Sequence, residues 1–341
     1  MKTLKNLLIV STLLFITNTT FAKIWRVNNT IGISANFTTA QAAHNDVNVL
    51  NGDTIMFEGS IADYGTLRLT KRLILIGTGY FLGNNPETQA SFLDSKLSTM
   101  DFANGSQNSS IQGFNMIGST INIGTSNITI SRNYNIGTLR VGFDPTCCQI
   151  NINNILITQN FLIVNLTTVS NPIVTNLLVT NNLIRNYGTE SSTSGLVQNN
   201  VITSSGNSLR ATNTLFANNI LTSGTINPVS SNNTYSNNIS SNTSFTPSGS
   251  NIGSNNQTNI NMTDVFTIPL SEINENSFQL KNPGPGKNTA QGGGDCGIFG
   301  GSSPYVLSGM PAIPSVYFFN IPATGSNTNP LNISSKAKSR N

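Results

Sequence analysis

Apolar residues recur in the middle of the chain in two columns of fixed spacing. Six eight-residue stretches align without gaps: residues 127–134, 154–161, 176–183, 194–201, 213–220 and 232–239. Their fourth positions are Ile130, Ile157, Val179, Val197, Phe216 and Tyr235, and their eighth are Tyr134, Phe161, Leu183, Val201, Ile220 and Ile239. The seventh position is Asn in every copy: Asn133, Asn160, Asn182, Asn200, Asn219 and Asn238. Successive Asn residues are 27, 22, 18, 19 and 19 apart, and a weaker copy at Ile111-Gln112-Gly113-Phe114 precedes the first. Short β-prone runs and turns at a period near 20 predict stacked coils of parallel strands. Leucine-rich repeats share the period but need several Leu at fixed offsets, which this chain lacks.

In such a coil, neighbouring turns lie about 4.8 Å apart, so each column stacks on its own copies. The apolar columns are expected to form the interior. The Asn column is expected at a bend, facing inward, its amides bonded in a ladder and its backbone tolerating left-handed angles. The long steps of 27 and 22 predict protruding loops.

An open coil exposes sheet edges that must be covered. Residues 37–47 carry apolar side chains at 37, 40, 43 and 47, the spacing of a short capping helix, with Asn36 or Thr38 as its N-cap. Strands are expected at 54–58, 67–69 and 73–77. The order of a short helix, GDTIMF, a loop containing Tyr64 and then LTKRLILIGTGY resembles the N-terminal entry of pectate-lyase-like right-handed parallel β-helix proteins. Residues 277–301, with FQLKNPGPGK and GGDCGIFGG, resemble the closing coil of secreted bacterial members. The resemblance spans about residues 24–301 and implies an all-β, right-handed parallel β-helix. It fixes chemistry poorly, because one fold hosts many functions. Beyond it, residues 302–341 form a tail in which 315–321 and 331–340 are expected to pair as a β hairpin across 323–329. Leu331, Ile333 and Ala337 would share one face, and Lys336, Lys338 and Arg340 the other.

Composition sharpens this picture. The 341 residues include 53 Asn and 29 Gly, both poor helix formers, and only 9% are charged. The net charge of +4 reflects scarcity of charge rather than a basic patch, so no nucleic-acid partner is expected. Residues 1–22 read as a secretory signal: Lys2 and Lys5, an apolar run over 7–16, then Thr20-Phe21-Ala22. An exported mature chain starting at Lys23, extracellular, surface-bound or periplasmic, with no transmembrane segment, is therefore expected. An oxidising compartment would allow a bridge from Cys147 or Cys148 to Cys296, but three Cys make no even framework, and free thiols are the simpler expectation. With a single His and no CxxC spacing, no metal or other cofactor is expected.

The resemblance raises polysaccharide cleavage, which needs a base with a cationic stabiliser, or two carboxylates about 5–10 Å apart. Between Asp144 and Asp264 the only acid is Glu190. Counted from the repeat Asn, Arg132, Arg140, Arg185 and Arg210 fall at different offsets and read as lone solvated charges. Glu58, Asp63, Arg68, Lys71, Arg72, Asp94, Lys96 and Asp101 form a denser cluster, and Arg68, Lys71, Arg72 and Asp101 are its candidate site residues. His44 is expected at the surface. Trp25 is expected to pack under the cap, and Tyr187 is a candidate for stacking on sugar. The sequence thus favours an exported scaffold or binding module, glycan-directed or structural at the cell surface. The alternative is a lyase or hydrolase using the N-terminal cluster.

Overall fold

The computed structural model describes residues 22–169, 172–190, 193–203, 209–322, 324–325 and 330–339. The expected signal segment lies outside them apart from Ala22, as does Arg340. The chain is an almost entirely β parallel solenoid of about 10 turns. One sheet stacks eleven strands in chain order, from Ile24–Val27 and Thr54–Phe57 to Thr234–Ser236 and Ile252–Ser254. The second runs from Leu67–Leu69 to Ile239–Ser240, with its strands paired in parallel. Its long strand Tyr134–Val141 pairs with Asn115 at its start and with Thr120–Ile123 at its end, so it covers two faces of the coil. The bend between them requires Gly137, because a Cβ there would lie 1.9 Å from the Gly118 carbonyl oxygen of the neighbouring turn.

The first apolar column is in register through seven turns, Ile111, Ile130, Ile157, Val179, Val197, Phe216 and Tyr235, all buried inside the coil. The Asn ladder is also inside. Each backbone N–H donates to the next rung's Oδ1, from Asn133 to Asn160 at 3.0 Å through Asn219 to Asn238 at 3.0 Å. Each Nδ2 donates to the same oxygen, and the six residues are fully buried. The ladder has a seventh rung, Asn256, which accepts both Asn238 bonds at 3.0 Å. Gly253 and Gln257 occupy the two apolar columns in that copy, which hides the repeat from the sequence pattern.

Two expectations about the repeat are corrected. The left-handed backbone falls one residue before the ladder, at Arg132, Gln159, Asn181, Asn199, Asn218, Asn237 and Asn255, with φ between 53° and 58°. Asn tolerates that conformation because its short amide bonds locally, which explains the recurring Asn-Asn doublets. The second apolar column faces outward. Phe161, Leu183, Val201, Ile220 and Ile239 are buried against Val265, Phe278, Cys296, Ile298 and Tyr305 of the C-terminal segment.

That segment also departs from the expected closing coil. Residues 285–310 run back along the outside of the solenoid as a strap, held by the left-handed column in order. Asn237 donates to the Thr289 carbonyl, Asn199 to Asp295, Asn181 to Ile298 and Gly300, Gln159 to Pro304, and Arg132 to Met310. Where the strap ends, Tyr305 and the Ser308 N–H donate to buried Glu275, whose second oxygen accepts from Asn85. Burial pushes the Glu275 carboxyl up from its ordinary value.

The capping helix is Ala40–Asn45, capped by Thr39, whose hydroxyl accepts from the Ala42 N–H at 3.2 Å. It is shorter than the expected 37–47 because Asn36 instead accepts from the Arg26 N–H and Val47 is exposed. Trp25 is buried beside Phe37, ring centroids 5.7 Å apart, and its indole N–H donates to Asp53. The tail forms the expected hairpin, Ser315–Asn320 with Ser334–Lys338.

Removing one ladder rung leaves neighbouring amides unpaired in the interior. Asn200→Ala and Asn219→Ala should each lower unfolding free energy by about 1–3 kcal/mol. Urea denaturation checks this, and unchanged midpoints for both would count against the ladder as a source of stability.

Candidate functional site

Strand register on the second sheet gathers its outward polar residues into one column. Arg68 pairs with Asp101, Asp101 with Asn122, Asn122 with Arg140, Arg140 with Thr167, Thr167 with Gly188, and Gly188 with Arg210. A parallel column two residues earlier holds Thr120, Thr138, Asn165 and Asn186. Arg140 and Arg210 therefore share a stripe, against the expectation from their offsets. Arg140 stands seven residues after its ladder Asn and Arg210 ten, because the turn before Arg210 is longer.

The stripe has two parts. At its N-terminal end Arg68 forms a two-pronged pair with Asp144, both distances 2.9 Å, and donates to the Thr146 hydroxyl at 2.8 Å. Asp101 lies 3.9 Å from Arg68, and Asn122 donates to it at 2.7 Å. Asp101, Asn122 and Asp144 are all buried. The Arg68 guanidinium holds the Asp144 carboxyl down at about 2, chiefly through its hydrogen bonds. This arrangement clasps the small hairpin of Phe143–Asp144 and Cys148–Gln149, which protrudes within the 27-residue step. Arg68 is thus occupied as a structural tie.

The other N-terminal candidates disperse. Lys71 donates to the Asp46 and Val49 carbonyls, and the Arg72 backbone N–H donates to Asn51. Glu58 pairs with Arg26 at 2.5 Å, Asp94 with Lys96 at 3.5 Å, and Asp63 accepts from the Gly65 N–H and Ser98. Of the four candidate site residues the structure brings together only Arg68 and Asp101. His44 is buried rather than at the surface, and its Nε2 accepts from the Thr70 N–H at 3.1 Å. Burial lowers its pKa.

The second part of the stripe is open to solvent. Asn165, Thr167, Asn186, Gly188, Arg210 and Asn227 line a polar hollow of about 280 Å³. Asn186 donates to Asn165 at 3.0 Å, repeating the amide stacking on the outside. Arg210 pairs with Glu190 at 2.7 Å. Arg140, exposed beside the Phe143 ring at 5.6 Å, has no carboxylate partner among the described residues. Tyr187 points into the core and is buried, so it offers no stacking face.

The expectation of lone solvated Arg residues also fails elsewhere. Arg185 pairs with Glu272, 87 residues away, and Arg132 is buried, donating to Gln159. Cys147, Cys148 and Cys296 are free thiols, the last buried. Among the described residues no three His, Cys, Asp or Glu side chains gather as a metal-ligand set, and no helix is long and apolar enough to cross a membrane. The solvated stripe offers amides, the Thr167 hydroxyl, the Arg140 cation and the Arg210–Glu190 pair to hydroxyls and carboxylates. On this face Asp101 and Asp144 adjoin Arg68 and Glu190 adjoins Arg210, so each acid there is neutralised by a neighbour.

Because the Asp144 pKa is lower in the folded than in the unfolded chain, its pair with Arg68 stabilises above about pH 4 and is lost as pH falls toward 2. Relative to Asp144→Asn, the wild type should lose about 1–2 kcal/mol more unfolding free energy over that range. Parallel pH dependences of the two proteins in urea denaturation would remove the clasp as a stabilising pair. No protein-family model, curated protein or solved structure matches the chain, so its function is argued from this geometry.

Proposed function

We propose that this chain is an exported β-helix binding module, pectate-lyase-like in scaffold, that holds an extended polysaccharide along the stripe from Arg140 to Arg210. The observation that carries the reading is the shared column: Arg140 and the Arg210–Glu190 pair flank a hollow whose other outward groups are amides and a hydroxyl. Turns about 4.8 Å apart present these groups at intervals comparable to a sugar unit. Charge-assisted hydrogen bonds from Arg suit an acidic glycan, and the Asn165–Asn186 pair supplies donors and acceptors for hydroxyls. Export rests on the signal pattern of residues 1–22.

Affinity electrophoresis through gels containing pectic, alginate or glycosaminoglycan chains tests this. The wild type should be retarded by at least one of them, and Arg140→Ala or Arg210→Ala should weaken retention about tenfold. The same substrates should yield neither ultraviolet-absorbing unsaturated ends nor new reducing ends. Turnover that disappears with Arg68→Ala, Lys71→Ala or Asp101→Ala would replace the binding reading with an enzyme sited in the N-terminal cluster. Unaltered mobility on every glycan would overturn it.

A further inference from the structure

The C-terminal hairpin leaves its apolar side chains uncovered. Among the described residues it is tied to the body at one end: Ser315 donates to the Thr88 carbonyl, the Ala90 N–H donates to Val316, and Lys338 pairs with Glu87 at 2.5 Å. Beyond that anchor the pairing of Phe319 with Ser335 and Asn320 with Ser334 sorts the side chains by face. Phe319 shares a face with Ala337, and continuing the register brings Ile321 opposite Ile333 on that side. Phe319 is 54% exposed and Ile333 59%, and Ile321 and Leu331 are also exposed. The opposite face carries Phe318 with Lys336, whose ammonium lies 5.5 Å over the Phe318 ring.

A two-stranded ribbon is marginal in water without something against its apolar face. Charge decides what that is. From Gly297 to Asn341 the chain contains no Asp or Glu but has Lys336, Lys338 and Arg340. Lys336 has no carboxylate partner among the described residues. A second copy on the apolar face would leave Lys336, on the opposite face, without an anion, because the segment has no acid to offer it. Bare aliphatic side chains such as Ile321, Leu331 and Ile333 offer nothing to sugar hydroxyls. An anionic lipid surface satisfies both features, accepting Phe and Ile at the acyl boundary while long Lys stems carry their charge to the headgroups.

We propose that this ribbon is a membrane-surface contact for anionic lipid headgroups, with Phe319, Ile321 and Ile333 inserting and Lys336 at the headgroup level. The site is separate from the glycan stripe and does not depend on that reading. Co-sedimentation of the full chain with phosphatidylcholine vesicles, with and without phosphatidylglycerol, tests it. Binding should require phosphatidylglycerol, fall with salt, weaken about fivefold for Lys336→Gln, and weaken about tenfold or more in Phe319→Ser/Ile333→Ser. These positions are exposed, so unchanged melting midpoints will show that the fold is intact. No binding to either vesicle, or equal binding to both, overturns the proposal. So does a concentration-dependent dimer in analytical ultracentrifugation that Phe319→Ser/Ile333→Ser abolishes, which would assign the face to a second copy. Vesicles without glycan separate this test from the gel assay.

Discussion

A buried column of amides governs the rest of the molecule. A coil with a short turn must bend its backbone inside a nearly dry interior, where an unpaired N–H or C=O costs about 1–3 kcal/mol. At each bend the ladder Asn meets that demand: Asn200, for example, donates through Nδ2 to the Val179 and Gln198 carbonyls and to the next rung, while its Oδ1 accepts from Asn182. The residue before each rung must then adopt a left-handed conformation to aim the next side chain inward. That outward residue becomes the peg that grips the strap. One local requirement thus produces both the inner ladder and the outer row of attachment points, and explains why Asn recurs in both columns.

What was legible in the sequence follows from this division. Contacts repeated in every turn leave a column, so the coil, the ladder and the interior Ile130 to Tyr235 stripe could be read directly. Contacts made once, by a distant segment, leave none. The outward face of Phe161 to Ile239 looked like core because its cover, residues 285–310, has no period of its own. Asn181 and Asn218 stood in the sequence as the first members of doublets, but nothing in them announced a backbone partner more than 70 residues away, a carbonyl for Asn181 and the Gln291 N–H for Asn218. Arg68 and Asp144, 76 residues apart, likewise gave no local sign of a pair. The Arg140–Arg210 stripe was obscured for a different reason. Offsets from the ladder count residues, whereas columns count strand register, and a longer turn shifts the first without moving the second.

Scarcity of charge also shapes the surface. With 13 acids in the chain, Glu58, Asp94, Asp144, Glu190, Glu272, Asp295 and Glu87 each lie beside a specific cation. Individually, exposed pairs contribute little to stability. Their collective effect is to leave the surface electrically quiet, so that the few unmatched cations dominate their surroundings. Arg140 and Lys336 lie on separate elements, one on the long side of the solenoid and one on the tail ribbon, and that separation underlies the assignment of two independent contacts.

The strap gives the solenoid a direction-dependent mechanical response. Its attachments follow one another in a single file, from Asn237 at Thr289 to Arg132 at Met310. A force lifting the ribbon away from the axis meets them one at a time, starting at Arg132, and peels the strap at low load. A force along the axis stretches them all together with the aromatic contacts of Phe161, Phe278 and Tyr305 and meets their combined resistance. A molecule held by its ribbon and pulled lengthwise would therefore stay closed under tension that would open it sideways.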